Sequence, residues 1–375
     1  MKRIILIFLV LFFSLNSVVS ADEIYVPSNA AILIERSTGQ ILYEKNSEER
    51  LPMASVTKTM TMLLAIEAVD SGKIKMDDIV TVSENGSSMN GSRVYLSTNE
   101  KISVSDLLKS IAVSSGNDAA VTMAEYVAGN EESFVALMNK RAEELGLENT
   151  HFMNCCGLDA EGHYSSAYDL AVISDELLKH DSIRPFLVIW MDSIRDGTFT
   201  LSNTNKLVRY YDGCTGVKTG FTSQAMYCLS ASALRDDMEL IAVILGGPNS
   251  KQRFSDASAL LNYGFANYKI EKCASEGDNF GTLDIEKGTA ETVGAICESD
   301  FSYLSSKSES AEITNKVKLN KKVCAPVKKG DKVGSITYFA NGNKIGTVNL
   351  VSDCDVSKCG LLKTMNKLLR IWFEF

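Results

Sequence analysis

Residues 51–60 read LPMASVTKTM, which places Ser55 and Lys58 three residues apart at the mouth of an apolar run. On a helix, positions i and i+3 share a face, so the ammonium can reach the hydroxyl. A serine hydroxyl is a weak nucleophile until a neighbouring base takes its proton. Lysine serves as that base only where burial or a nearby positive charge lowers its pKa. Residues 55–69 are apolar on nearly every face, the mark of a buried helix, and Asp70-Ser71-Gly72-Lys73 closes it with a glycine stop. Ser55 is therefore expected in the first turn of a buried helix, where backbone N–H groups are available to an oxyanion. Taken alone, the spacing is a weak signal and reads better as a surface pair.

Two further motifs change that balance. Ser-x-Asn is not unique: besides Ser115-Gly116-Asn117, Ser83-Glu84-Asn85 and Ser88-Met89-Asn90 match it too. Those two lie in the polar stretch SENGSSMNGS and read as turn residues. Ser115-Gly116-Asn117 breaks two apolar helical patterns, where a hydroxyl and an amide can project into a cleft. Lys218-Thr219-Gly220 occurs once, in a stretch of period two. A strand lysine and hydroxyl can bind a carboxylate, and the glycine lets a substrate backbone approach. The bland alternative is an edge strand guarded by a charge.

Ser-x-x-Lys, Ser-x-Asn and Lys-Thr-Gly in this order form the signature set of penicillin-binding proteins and serine β-lactamases. The chain resembles the low-molecular-weight D-alanyl-D-alanine carboxypeptidases of peptidase family S11 over nearly its whole length. Stretches that carry the resemblance include ASVTKTMT, SGNDAA, LMNKRAEELGLENTHF, GHYSSAYDLA, NTNKL and GVKTGFT. The resemblance implies a penicillin-sensitive enzyme that releases the terminal D-alanine of peptidoglycan stem peptides ending in D-Ala-D-Ala. Ser55 would be the acylated nucleophile, Lys58 the general base and Ser115 a proton relay to the leaving amine. Asn117 would hold the substrate amide, and Lys218 and Thr219 its terminal carboxylate beside Gly220. The backbone N–H groups of Ser55 and Phe221 would form the oxyanion hole. β-Lactam antibiotics would be covalent inhibitors, and no metal or organic cofactor is implied. Two departures stand out: Met226 where the family often has glycine, and Cys155-Cys156 in a loop usually built from other residues.

The N-terminus, MKRIILIFLVLFFSLNSVVSADEIY, has a basic start, an apolar run over residues 4–13 and a small-residue cleavage site before Asp22. That pattern is a secretory signal peptide, and the run is short for a membrane span. Removing 21 of the 375 residues leaves 354 and takes away two positive charges, moving the formal net charge from −9 to −11. Such a length suggests two domains, and the acidic balance argues against nucleic acid as a partner. All nine cysteines lie in the mature chain, so at least one thiol is unpaired within it. His151, Cys155, Cys156 and His163 could be assembled into a metal site, but neighbouring cysteines chelate zinc less well than a Cys-x-x-Cys pair. Most of the cysteines are expected as small buried hydrophobes.

AAILIERSTGQILYEKN reads as a β-hairpin, residues 104–147 as helices, and GVKTGFT, MYCLSASAL and ELIAVILGG as an antiparallel meander. A sheet made from both ends of a segment, with a helical insert between, is an α/β/α sandwich with an all-helical lobe. This is the serine β-lactamase/transpeptidase-like α/β class. From residue 269 the composition shifts to alternating strands, and Ala340-Asn341-Gly342-Asn343 signals a hairpin turn. The tail GLLKTMNKLLRIWFEF gathers Lys363, Lys367 and Arg370 within about 60° on a helical wheel, with its apolar residues opposite. A basic, aromatic-bearing amphipathic helix lies in a membrane interface. The expected organisation is a signal peptide over 1–21, a catalytic domain over 22–268 and a small β-rich domain over 269–351. A linker over 352–360 and an amphipathic anchor helix over 361–375 complete it. The protein is expected to be exported and held on the outer face of the cytoplasmic membrane.

Three rivals differ in sequence requirements. A class A β-lactamase needs a further glutamate for deacylation; the nearest stretch, ELGLEN from Glu144, is one residue too long and reads as a helix end. An endopeptidase acting on peptide cross-links would use the same groups. A non-catalytic wall-binding protein would need neither Lys58 nor an oxyanion hole.

Overall fold

The computed structural model describes residues 24–308 and 311–360. The signal peptide expected over 1–21 and the anchor helix expected over 361–375 lie outside the described residues. Among the described residues, no helix is long and apolar enough to cross a membrane.

Strands β1 (Ala30–Glu35) and β2 (Ile41–Lys45) form the expected hairpin, and a 3-10 turn, Ala54–Thr57, leads into α1 (Lys58–Asp70). Short strands β3 (Ile79–Thr81) and β4 (Lys101–Ser103) pair around α2 (Glu84–Ser88). The helical lobe continues through α3 (Val104–Ser114), α4 (Asn117–Ala128), α5 (Glu131–Glu144), α6 (Ala167–Leu178) and the single turn α7 (Arg184–Leu187). A small ribbon, β5 (Met191–Ile194) and β6 (Phe199–Ser202), and α8 (Leu207–Tyr210) return the chain to the sheet. There β7 (Cys214–Thr222), β8 (Met226–Arg235) and β9 (Met238–Gly247) form the meander, followed by α9 (Ser250–Asn267). Helix starts are set by polar caps: Ser103, Asn130, Ser166 and Asn249 each accept a backbone N–H with the side chain.

The five strands run in the order β2-β1-β9-β8-β7, all antiparallel, so the two ends of the segment meet at the sheet centre. Both faces of the central strands are buried, which is why AAILI and LIAVIL are continuous apolar runs. Ile32, Ile241 and Val243 face the core shared with α1, α3, α4 and α6. Leu33, Leu240 and Ala242 face the layer of α9, with Leu260 and Leu261. Gly264 lets α9 approach closely, since a Cβ there would sit 2.4 Å from Leu240 Cδ1. The result is the expected α/β/α sandwich with a helical lobe.

From Tyr268 the chain is β-structured: β10 (Tyr268–Ala274), β11 (Asn279–Glu286), β12 (Thr292–Cys297), β13 (Phe301–Ser306), β14 (Ile313–Leu319), β15 (Val323–Cys324), β16 (Lys332–Ala340) and β17 (Asn343–Ser352). A separate apolar core, including Val333, Ile336, Tyr338 and Leu350, holds this all-β domain. The hairpin signalled at residues 340–343 joins β16 to β17, with Asn341 at φ +48° and Gly342 at φ +79°, the pair of positive values a type I′ turn requires. The stretch expected as a linker over 352–360 packs on this domain: Val356 is buried and bridges Val327, and Lys358 bridges Gly288.

All nine cysteines are free thiols. Only Cys155, Cys156, Cys228 and Cys297 are buried, so the expectation of mostly buried cysteines holds for four of the nine. Of the others, Cys214 opens the edge strand β7, Cys273 and Cys324 lie on β10 and β15, and Cys354 and Cys359 follow the last strand.

Candidate active site

Ser55 does not sit in the first turn of the α-helix, as the sequence pattern suggests, but in the 3-10 turn before it. Val56 N–H closes this tighter turn on Met53 O, and Ala54 is held at φ +48°. A non-glycine residue in that region costs about 1–2 kcal/mol and persists only where its surroundings enforce it. Two glycines do so. A Cβ on Gly157 would fall 2.0 Å from Ala54 O, and one on Gly220 would fall 2.7 Å from Met53 O and 3.0 Å from Ser55 N. The turn that carries Ser55 is thus gripped between the 154–157 loop and the Lys-Thr-Gly strand, with no room for side chains at either contact.

The motif residues converge on this turn. Lys58 begins α1 and is fully buried. Its Nζ donates to Asn117 Oδ1 at 2.6 Å, to Cys156 O at 2.7 Å and to Ser55 Oγ at 3.0 Å. Burial lowers the Lys58 pKa from its ordinary value, opposed by the nearby Cys156, Cys155 and Asp118. Ser55 is half-buried, and its hydroxyl also lies 3.3 Å from Cys156 O as a donor.

Ser115 ends α3 in the left-handed region at φ +61°, and α4 begins at Asn117. This break places Asn117 in the cleft, where Nδ2 donates to Asn90 O at 2.6 Å while Oδ1 receives Lys58. Ser115 is buried, but among the described residues no side-chain hydrogen bond joins it to Ser55, Lys58 or Lys218. The competing Ser-x-Asn matches have structural work: Ser83 caps α2, and Asn90 supplies the carbonyl that orients Asn117.

Strand β7 is the open edge of the sheet and carries Lys218, Thr219, Gly220 and Phe221 past Ser55. Thr219 Oγ1 donates to Thr204 Oγ1 at 2.7 Å, and Thr204 N–H donates to Val113 O. The strand is thereby tied to the end of α3, two residues before Ser115. Lys218 is buried, with Nζ donating to Thr219 O at 3.0 Å. Its pKa is held well below the ordinary value by burial, then by Lys58 and Arg253. Arg253, from α9, donates to Gly220 O at 2.8 Å. Among the described residues, no carboxylate forms an ion pair with Lys58, Lys218 or Arg253. Phe221 is 54% exposed and its ring packs on Tyr227 at 4.4 Å. Met226, at the turn into β8, has φ +58°, the backbone region that accounts for a glycine at this place in the family it resembles.

Several contributing groups carry no signal in the sequence. The Cys156 carbonyl holds both Lys58 and Ser55, yet any residue type supplies a carbonyl. Asp118 is buried and its carboxylate accepts from the N–H groups of Val94, Leu96 and Ala119, fixing the segment above Asn117. His163 accepts from Met153 N–H through Nδ1 and meets Thr57 Oγ1 at 2.8 Å through Nε2, so the neutral Nε2–H form fits both partners. His151 instead contacts Gly162 O, so the four residues His151, Cys155, Cys156 and His163 do not converge. Glu144 ends α5 paired with Lys140 and Arg141, in keeping with its reading as a helix end.

The sequence matches the model of the family described as D-alanyl-D-alanine carboxypeptidase, Peptidase S11, over residues 17–249. Residues 268–358 match the penicillin-binding protein 5 C-terminal domain. D-alanyl-D-alanine carboxypeptidase DacF of Bacillus subtilis (strain 168) is 40% identical over 94% of this chain and 92% of its own. The structure of penicillin binding protein 5 from Haemophilus influenzae superposes with a TM-score of 0.77 at 32% identity, covering 90% of this chain and 99% of that one. A mutant of the Streptomyces K15 DD-transpeptidase aligns with 65% of this chain and 100% of its own, with a TM-score of 0.61 and 30% identity. With its catalytic-domain match, its β-domain match and its full-length relatives in agreement, the chain belongs to the D-alanyl-D-alanine carboxypeptidase family, peptidase family S11.

Proposed function

We propose that the protein is a penicillin-sensitive serine D-alanyl-D-alanine carboxypeptidase acting on peptidoglycan stem peptides. The observation that carries this reading is the short contact of Lys58 Nζ with Ser55 Oγ inside a buried, cationic cleft. A peptide C-terminal carboxylate supplies the counter-charge that Lys218 and Arg253 lack. Ser55 Oγ attacks the carbonyl carbon of the penultimate D-alanine while Lys58 takes its proton. The oxyanion is received by the N–H groups of Ser55 and Phe221. Collapse breaks the C–N bond, and the proton passes through Ser115 to the leaving D-alanine amine. Asn117 holds the substrate amide, and Lys218 and Thr219 hold the carboxylate. Water then attacks the ester, restoring the Ser55 hydroxyl and releasing the shortened peptide. A β-lactam enters as the same carbonyl electrophile, but its leaving nitrogen stays tethered.

The proposal extends to organisation and place. Residues 22–268 form the catalytic unit and 269–351 a separate β-domain. The chain is exported and held on the outer face of the cytoplasmic membrane by residues 361–375.

The test is incubation with a peptide ending in D-Ala-D-Ala, assay of free D-alanine, and intact mass after penicillin. Release with a lasting mass increase on Ser55, both lost in Ser55→Ala, is expected. Rapid return to the original mass without D-alanine release identifies a β-lactamase and overturns the reading.

A further inference from the structure

Behind the nucleophile turn lies a cluster the proposed reaction does not use. Glu131, in the first turn of α5, and the adjacent pair Cys155-Cys156 bring one carboxylate oxygen and two sulfurs within 4.8 Å of one another. Cys155 Sγ donates to Glu131 Oε1 at 3.3 Å, and Cys155 N–H reaches the same oxygen at 3.2 Å. Both cysteines are buried. Sequence spacing conceals this set, because Glu131 is 24 residues from Cys155 and the helix fold alone brings it in.

We propose that Glu131, Cys155 and Cys156 form a binding site for one thiophilic divalent cation of the zinc class. A tetrahedral ion bound by thiolates at about 2.3 Å and a carboxylate at about 2.0 Å needs S···O and S···S edges of about 3.5 and 3.8 Å. The observed 3.3 Å contact and the 4.8 Å limit leave only small side-chain adjustments to reach them. Two sulfurs with one oxygen favour a borderline-soft ion, whereas magnesium and calcium require oxygen shells. The fourth position is left for water. A surface depression of about 490 Å³, lined by Glu131, Asn139, His151 and Met153, gives the ion a route to the carboxylate.

Binding as thiolates displaces thiol protons. It also makes the surroundings of Lys58 more rigid, because the same loop supplies its acceptor. Cys156 O receives Lys58 Nζ and Ser55 Oγ, Cys155 O receives Thr61 Oγ1 at 2.6 Å, and Gly157 abuts Ala54. The ion would clamp this loop to the start of α5 and hold the base's acceptor in place. Metal binding at this cluster is independent of the carboxypeptidase reaction.

The test titrates the purified, reduced protein with Cd²⁺, following thiolate-to-cadmium charge-transfer absorption, and with Zn²⁺ against a chromogenic chelator. One equivalent should bind, with about two protons released per ion. Binding should vanish in the Cys155→Ser/Cys156→Ser double variant and persist in Cys324→Ser/Cys354→Ser, which removes the exposed thiols. Glu131→Gln should weaken Zn²⁺ at least tenfold and abolish the Zn²⁺-induced rise in Tm, a readout that stands even where the double variant fails to fold. Binding of undiminished strength in both Glu131→Gln and the double variant overturns the proposal. So does absence of binding, or a Cys155–Cys156 disulfide in protein isolated without reductant.

Discussion

Lys58 Nζ lies 3.0 Å from Ser55 Oγ, while its two shorter contacts, Asn117 Oδ1 and Cys156 O, are to groups that can only accept. A neutral amine has two N–H bonds and one lone pair. With both N–H bonds taken by the two carbonyl-type acceptors, the lone pair is turned to the serine. Protonated, the same nitrogen donates to all three, so the three partners suit the lysine in either protonation state.

Replacing Lys58 by Arg keeps the charge but removes a base that can lose its proton. Acylation by a fluorescent penicillin should fall by about 10²–10⁴, the usual contribution of general base catalysis. In the unaltered protein the acylation rate should rise with pH as Lys58 becomes neutral. Because burial lowers its pKa, that rise should lie below 10.5. A pH–rate profile that is flat, or equal in Lys58→Arg, would remove Lys58 from the role of base.

Gly157 and Gly146 both have positive φ, +84° and +71°, yet of the two only Gly157 touches the turn that carries Ser55. Gly146→Ala should cost about 1 kcal/mol, the backbone term alone. Gly157→Ala must in addition displace Ala54 O, so it should cost several times as much and slow acylation sharply. Denaturant unfolding and acylation rates on the two variants decide the matter; equal losses would show that the contact does not position Ser55.

Burial, aided by the charge of His151 and opposed by Asp159, pushes the His163 pKa down to about 4 from 6.5. The unfolded chain then binds a proton between these values that the folded chain does not. The stability contribution is full above pH 6.5 and is lost as pH falls toward 4, by up to about 3 kcal/mol. His163→Gln should be less stable at neutral pH and should lack this part of the acid dependence. Unfolding curves from pH 4 to 7 that stay parallel for the two proteins would refute it.

Deletion of residues 361–375 should move the protein from the membrane to the soluble fraction with D-alanine release retained. Fractionation of cells expressing both forms measures this, and a deleted form that stays with membranes places the anchor elsewhere.

The sequence by itself determined much of this protein. Three motifs in order, apolar runs at β1 and β9, and the Asn341-Gly342 turn all follow from local chemistry: periodicity, charge and backbone preference. It also singled out Ser115-Gly116-Asn117 from the lookalikes Ser83-Glu84-Asn85 and Ser88-Met89-Asn90, because it interrupts apolar helices while they lie in a polar stretch. The 3-10 turn at Ser55 was not legible, since its cause is distant: Gly157 and Gly220 press Ala54 into a conformation no local propensity favours. The burial that lowers Lys58, the carbonyl of Cys156 beneath it and the arrival of Glu131 beside Cys155 were decided by tertiary structure alone. Desolvation and close contact between residues from 24 positions apart (Glu131 and Cys155) to 166 (Ala54 and Gly220) depend on how helices and sheet pack, and a chain's local pattern carries no record of those distances.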